Sequence, residues 1–88
     1  MEIESDPIKA ASNLKKHGVS FTEAATVLYD AMALVQEDCD SKGENRWVLV
    51  GMSDQVRILT VVYTLRNEDT IRLISARKAT KKEGKYYA

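Results

Sequence analysis

The C-terminal half of this 88-residue chain consists of three apolar, β-branched runs separated by two short polar turns, and that arrangement leaves few folds open. The runs cover residues 46–53, 56–66 and 70–77. Valine, isoleucine, threonine and tyrosine dominate them, as strands prefer. Ser53-Asp54-Gln55 and Asn67-Glu68-Asp69 supply the turns, and turns this short join antiparallel neighbours. In the longest run Val56, Ile58, Thr60, Val62 and Thr64 share one face, and Arg57, Leu59, Val61, Tyr63 and Leu65 share the other. Both faces are largely apolar near the middle, so this strand is expected at the centre of a sheet with helices on at least one side.

Ahead of the strands the pattern changes to helical. Met1 to Ser5 read as extended or frayed. Asp6-Pro7 has the form of a helix start, an oxygen-bearing cap followed by proline at the first helical position. Ile8, Ala11 and Leu14 form an apolar stripe, Lys9, Lys15 and Lys16 fall on the wetter side, and Gly18 is the expected stop. Ser20-Phe21-Thr22-Glu23 then reads as a capping box, with Val19 stapled against Ala24. Ala24, Ala25, Val27, Leu28, Ala31 and Met32 give this second helix its apolar face. It is expected to run to about Asp30, with residues 31–36 turning into a short strand. Residues 37–45 are polar and read as a solvated loop, whose four acids lack calcium-loop spacing. Residues 78–87 read as a last helix, weakened by Gly84, with Glu83 and Tyr87 facing the same way. The expected fold is α+β: one domain over residues 1–88, in which two N-terminal helices and a short C-terminal helix pack on a three- to four-stranded antiparallel sheet.

Composition removes several function classes. With 44% hydrophobic and 30% charged residues the chain is globular in character. No run approaches the roughly 18 apolar residues that span a membrane, and no secretion signal is apparent, so the cytoplasm is the expected compartment. One cysteine, Cys39, and one histidine, His17, exclude a Cys/His zinc cluster and a disulfide framework, and no metal or cofactor is expected. Net charge is zero, but its distribution is uneven. Residues 1–45 hold four Lys/Arg against nine Asp/Glu, and residues 46–88 hold nine against four. Such asymmetry permits a basic face on a neutral protein.

The basic half contains Arg46, Arg57, Arg66, Arg72, Arg77, Lys81 and Lys82, interleaved with Tyr63 and Tyr87. That set suits phosphate binding and charge stabilisation better than covalent catalysis. Arg72 and Arg77 are five apart, so a regular strand sends them to opposite faces. The plainer reading makes both of them solvated edge residues. His17 stands at a helix C-terminus, where a histidine is often a cap and can otherwise serve as a general acid or base. There is no Gly-rich phosphate loop, H-E-x-x-H or G-x-S-x-G.

Two long motifs add to this reading. Residues 13–24, N-L-K-K-H-G-V-S-F-T-E-A, resemble the N-x-x-K-H-G-V-S-F-x-E-A signature of BrnT-type toxins, and residues 71–80, I-R-L-I-S-A-R-K-A-T, resemble their I-R-I-I-S-A-R-x-A-T signature. Arg46, Gly51, the Ser53/Arg57 pair and Val62-Tyr63-Thr64-x-Arg66 fall between them in order, and Glu83 and Tyr87 match the closing E-x-x-x-Y. The resemblance covers nearly the whole chain. It implies a RelE-like fold and a metal-independent endoribonuclease toxin of a type II toxin–antitoxin system, which inhibits translation by cutting RNA. The substrate's own 2′-OH would be the nucleophile. The implied partner is a BrnA-type antitoxin, in a heterotetramer or larger complex, with DNA bound only through the antitoxin. Carried over by motif, His17, Arg66, Arg77, Glu83 and Tyr87 are the candidate catalytic residues. Lys16, Arg57, Arg72 and Lys81 are candidate RNA-binding residues. Arg66 and Arg77 would hold the phosphate, His17 or Glu83 would move protons, and Tyr87 would position a base or the phosphate.

The chain departs from the family pattern at Ser5, where an aromatic is usual, at Val56, where glycine usually ends the turn, and in a less basic last helix. The other reading of the same basic surface is a non-enzymatic module, a degenerate toxin that docks an antitoxin and contributes to operon repression. A direct DNA-binding repressor ranks last, because no helix has a basic, groove-reading pattern.

Overall fold

The computed structural model describes residues 2–38 and 46–87. The chain runs β1 (Glu2–Glu4), α1 (Pro7–His17), α2 (Phe21–Val27), β2 (Leu34–Asp38), β3 (Arg46–Met52), β4 (Ile58–Leu65), β5 (Thr70–Lys78) and α3 (Lys81–Tyr87). Most of the expected polar loop, with Cys39, lies outside the described residues. Among those residues no helix is long and apolar enough to cross a membrane.

The α+β class holds, but the sheet is larger and differently paired than three or four antiparallel strands. It has five strands in the order β1-β5-β4-β3-β2. The meander β3-β4-β5 is antiparallel as expected, and β2 adds antiparallel to β3. Residues 2–4, expected to fray, form β1 parallel to β5 at Thr70–Arg72. Three residues carry too little pattern to announce a strand, and their pairing is decided by an edge 68 positions away. α2 ends at Val27, and the strand expected at 31–36 is displaced to Leu34–Asp38 because tight turns fill the interval, the N–H groups of Leu28, Asp30 and Ala33 donating to the carbonyls of Ala25, Val27 and Asp30. Asp30 stops the chain there: its Oδ1 accepts the Met32 N–H at 2.9 Å and its Oδ2 accepts the Met52 N–H at 2.8 Å.

The core lies between α1, α2 and one face of the sheet. Leu59 and Val61 on β4 are wholly buried with Val19, Ala24 and Val27. Tyr63, Leu73 and Ala76 complete that layer. Gly51 belongs to it because there is no room for more: a Cβ there would stand 2.9 Å from both the Ala33 Cβ and a Val27 methyl. The apolar stripe read on α1 is not the face that packs. Ile8 and Leu14 are 79% and 51% exposed, whereas Ala10 packs on the core and Asn13 is buried. Ile3, Leu14 and Phe21 instead line an open groove of about 500 Å³ between α1, α2 and β1.

Asn13 is the joint between α1 and the sheet. Its side-chain N–H donates to the carbonyls of Val19 and Ala76, each at 2.9 Å, and its Oδ1 accepts the Ala76 N–H at 3.1 Å. A side-chain amide thus continues the ladder on β5 where β1 has stopped. Buried backbone groups need such partners, and losing one costs about 1–3 kcal/mol. Beside this joint the β4–β5 register slips. Val62 pairs with Ser75 but Tyr63 pairs with Leu73, leaving Ile74 as an extra residue. The slip reverses the expectation for the two arginines. Arg72 lies opposite Thr64 and Arg77 opposite Thr60, and these threonines, four apart on β4, share a face. Both guanidinium groups therefore stand on the side of the sheet away from α1 and α2.

The turn before β4 carries one strained residue. Val56 adopts a φ of 60°, where glycine is usual in the family the sequence resembles. A side chain in this left-handed region costs about 1–2 kcal/mol. Val56 is 76% exposed, so its loss gives up little packing. Val56→Gly is expected to stabilise the protein by about 0.5–1 kcal/mol, after glycine's extra unfolded-state entropy is subtracted. A urea melt should show a higher midpoint at unchanged slope. A lower midpoint would mean that the turn tolerates valine without cost.

Candidate functional site

The sheet face away from α1 and α2 gathers the polar and basic side chains of β3, β4 and β5. Thr60, Val62 and Thr64 point to it from β4, Arg72 and Arg77 from β5, and Arg46 lies opposite Thr64 on β3. α3 covers one end of this face. Glu83 fixes it there: Arg77 donates to both its oxygens, at 2.7 and 2.9 Å, and Thr60 Oγ1 donates at 3.0 Å. The Thr80 N–H donates to Glu83 Oε1 at 2.8 Å while the Glu83 N–H donates to Thr80 Oγ1 at 3.2 Å. The last two bonds are a complete capping box at Thr80-Lys81-Lys82-Glu83, which the sequence reading passed over.

At the expected box on α2 only half forms. Ser20 Oγ accepts the Glu23 N–H at 3.0 Å, but the Glu23 carboxylate turns inward. Its oxygens accept Arg57 Nε at 2.9 Å, a second Arg57 N–H, and Ser53 Oγ at 2.7 Å. The carboxylate is only 2% exposed, and Ser53 Oγ also accepts the Gln55 N–H. The Ser53/Arg57 motif is thus a turn stitched to a buried acid on the α1/α2 side of the sheet. The Arg57 bond holds the Glu23 carboxyl below its usual range, against burial that pushes it up. Arg57, expected to touch RNA, stands on the α1/α2 side of the sheet and is bonded to the Glu23 carboxylate.

The remaining candidates are spread along the basic face. At the α3 end are Arg77 and Glu83. The Arg77 bond, aided by Thr80 and Thr60, holds the Glu83 carboxyl down to about 2. It stays ionised at neutral pH and is a weak base there. Tyr87 does not face this pair directly: its hydroxyl donates to Asp30 Oδ2 at 2.6 Å, tying the end of α3 to the turn after α2. Lys81 lies exposed on α3. At the middle, Lys16 and His17 with Ser12, Asn13, Ile74 and Ser75 line an open groove of about 270 Å³. His17 follows Asn13 by one helical turn, so the Asn13–Ala76 joint sets it beside Ser75, one pleat from Arg77. At the far end Arg66 donates to Glu4 Oε1 at 3.0 Å, and Arg72 lines a second groove with Lys9, Arg46, Thr64 and Ile74. Arg66 and Arg77 are thus held at opposite ends of the face by different carboxylates.

The structure brings together Arg77 with Glu83, and Lys16 with His17. It keeps Tyr87, Arg66 and Arg57 in three other places. The sequence reading missed Thr60, Asn13 and Lys9. A signal for the last two existed: Lys9, Ser12, Asn13, Lys16 and His17 recur at helical spacing and form one polar stripe. Among the described residues no group of three or more His, Cys, Asp or Glu is gathered as a metal site.

Residues 6–83 match the family model described as the ribonuclease toxin BrnT of type II toxin–antitoxin systems. Among solved structures, that of the Brucella abortus ribonuclease toxin BrnT, at 1.1 Å resolution, is similar to this chain with a TM-score of 0.71. The two are 25% identical, and the match covers 92% of this chain and 99% of the Brucella protein. None of the curated proteins matches the chain in sequence.

Two outcomes follow from the ion pairs. Arg57→Ala strands the buried Glu23 carboxylate and is expected to cost about 3–5 kcal/mol, read in a urea melt. Arg77→Ala leaves Glu83 with Thr60, Thr80 and access to water, and is expected to cost no more than about 1–2 kcal/mol. Equal losses would contradict this division between a buried and a surface pair. The acid dependence has a defined sign. The folded Glu83 carboxyl is lowered from 4.5 to about 2, so its stabilisation is present above about pH 4.5 and fades as pH falls toward 2. The melting-temperature gap between the protein and Glu83→Gln is expected to close across that window, and a gap independent of pH would show that the charge of Glu83 contributes nothing.

Proposed function

The chain belongs to the BrnT family of ribonuclease toxins of type II toxin–antitoxin systems, and on that premise we propose that it is an endoribonuclease that cuts RNA without a metal ion and so inhibits translation. Residues 1–88 act as one RelE-like toxin domain in the cytoplasm. A BrnA-type antitoxin blocks it in a heterotetramer or larger complex and carries the DNA contact that represses the operon.

The observation that carries the reading is Arg77, held in a fixed bidentate geometry on the face where a basic groove also contains His17. In the proposed reaction the 2′-OH of the substrate attacks the adjacent phosphorus. The 5′-oxygen leaves, giving a 2′,3′-cyclic phosphate and a 5′-hydroxyl. Arg77 stabilises the charge that develops on the phosphorane oxygens. His17, in the groove beside Ser75, is the group placed to take or give the proton. Glu83, ionised far below neutrality, positions Arg77 and is the weaker candidate for moving protons. Tyr87 keeps α3 in place through Asp30 and orients substrate at the rim. Arg66 binds RNA away from the reacting phosphate, since Glu4 holds it at the other end of the face.

A second reading, a module that docks an antitoxin without cutting RNA, is favoured by one feature. Leu34, Val35 and Tyr86 are exposed around a groove of about 410 Å³ beside the edge strand β2. The two readings separate in one assay. Purified, partner-free protein incubated with total RNA in EDTA is expected to cleave it, and Arg77→Ala to be slower by about 10²–10³-fold while still folded. Full cleavage by folded Arg77→Ala would remove the proposed role. No cleavage by either protein would favour the docking module.

A further inference from the structure

We infer that the end of the basic face remote from Arg77 is a second phosphate subsite, built by Lys9, Arg46 and Arg72 around Thr64, which holds a flanking phosphate of the RNA strand. The inference rests on the ribonuclease reading above and extends it to the path of the substrate. Arg72 and Arg46 flank Thr64 from the two neighbouring strands, so two planar forks and a hydroxyl share one row across the sheet. Lys9 joins them from α1, over Ile74, in a groove of about 170 Å³. Glu4, opposite Arg72 on β1, accepts from Arg66. Guanidinium forks match phosphate oxygens in pairs, and an ammonium adds a mobile point charge.

This subsite is distinct from the Arg77 position. The two arginines are five residues apart with one residue bulged, so at the rise of a strand they stand about 13–16 Å apart. Arg77 also turns toward α3, while Arg72 faces Lys9 and Arg46. The two are joined, however. Lys9 and Ile74 line both this groove and the groove that holds Lys16, His17 and Ser75. A continuous basic track therefore follows β5 from the Arg72 row to Ser75, two residues before Arg77, which fits a linear polyanion better than a single acidic side chain. Among the described residues no Phe, Tyr or Trp lines either groove. The track touches the RNA backbone and reads no sequence. The bulge at Ile74 is what makes the track possible, since without it Arg72 and Arg77 would leave by opposite faces.

The test is binding, separated from cleavage. A fluorescent, fully 2′-O-methylated oligonucleotide lacks the nucleophile and is not cut, so its affinity for the partner-free protein can be followed by anisotropy across a salt series. Lys9→Ala and Arg72→Ala are each expected to weaken binding and to reduce the slope of log K against log salt by about 0.7, the value for one neutralised phosphate fewer on a single strand. Lys15→Ala removes the same charge from the same helix outside the groove, and should leave the slope unchanged. Lys9 is exposed on α1, so its variant keeps the test valid if Arg72→Ala fails to fold. Equal effects of all three variants would reduce the subsite to diffuse attraction and overturn it. So would failure of the oligonucleotide to bind at low salt, or a surface that takes a polyglutamate peptide in its place. Binding with the expected slopes, but no cutting of unmodified RNA, would remove the ribonuclease reading and leave the subsite standing.

Discussion

The side chain of Asn13 is the contact on which the arrangement of this protein most depends. It sits on α1 yet behaves as a piece of β-strand, exchanging hydrogen bonds with both backbone groups of Ala76 and donating to the carbonyl of Val19 as well. Three consequences come from one amide. The edge of β5 beyond β1 is satisfied. The chain between α1 and α2 is fixed against the sheet. And His17, one turn beyond Asn13, is set beside Ser75 at the margin of the basic face. An apolar residue of the same size would fill the space and leave buried N–H and C=O groups without partners, which costs more than its burial returns.

Around that joint the charged residues sort by depth. The Glu23 carboxylate is buried to 2% exposure and needs Arg57 to be tolerable there, so this pair belongs to the core of the fold. The Glu83 carboxylate, 23% exposed, holds Arg77 at the surface, where a phosphate can compete for the same guanidinium. The chemistry of the two pairs is the same; their difference lies in which side of the sheet they occupy and how much water reaches them. A bidentate arginine is thus structural in one place and available in the other.

α3 illustrates how a weak element is made useful. It spans seven residues, includes Gly84 and buries none of its side chains fully. Intrinsic propensity does not hold it. Its capping box, the Arg77 and Thr60 bonds to Glu83, and the Tyr87–Asp30 bond fasten it at both ends. The helix can therefore carry functional groups over the sheet while remaining dependent on them for its position.

Much was determined by the sequence alone. The antiparallel meander of β3, β4 and β5 follows from β-branched runs and short turns, and α1 follows from Asp6-Pro7 at one end and Gly18 at the other, because caps and turns are local and need no distant partner. The family was legible in two contiguous motifs, which meet in the structure where Asn13 of the first bonds Ala76 of the second. The tertiary structure alone decided what depends on residues far apart in the chain. Residues 2–4 become a strand only against β5. Glu23 abandons its capping box because Arg57, 34 positions later, offers a stronger bond inside the core. Arg72 and Arg77 share a face because a single bulged residue changes the parity of a strand, and a period of two cannot reveal where the period is broken. Residue types can announce phosphate chemistry, but the side on which each arginine stands is set by register and packing.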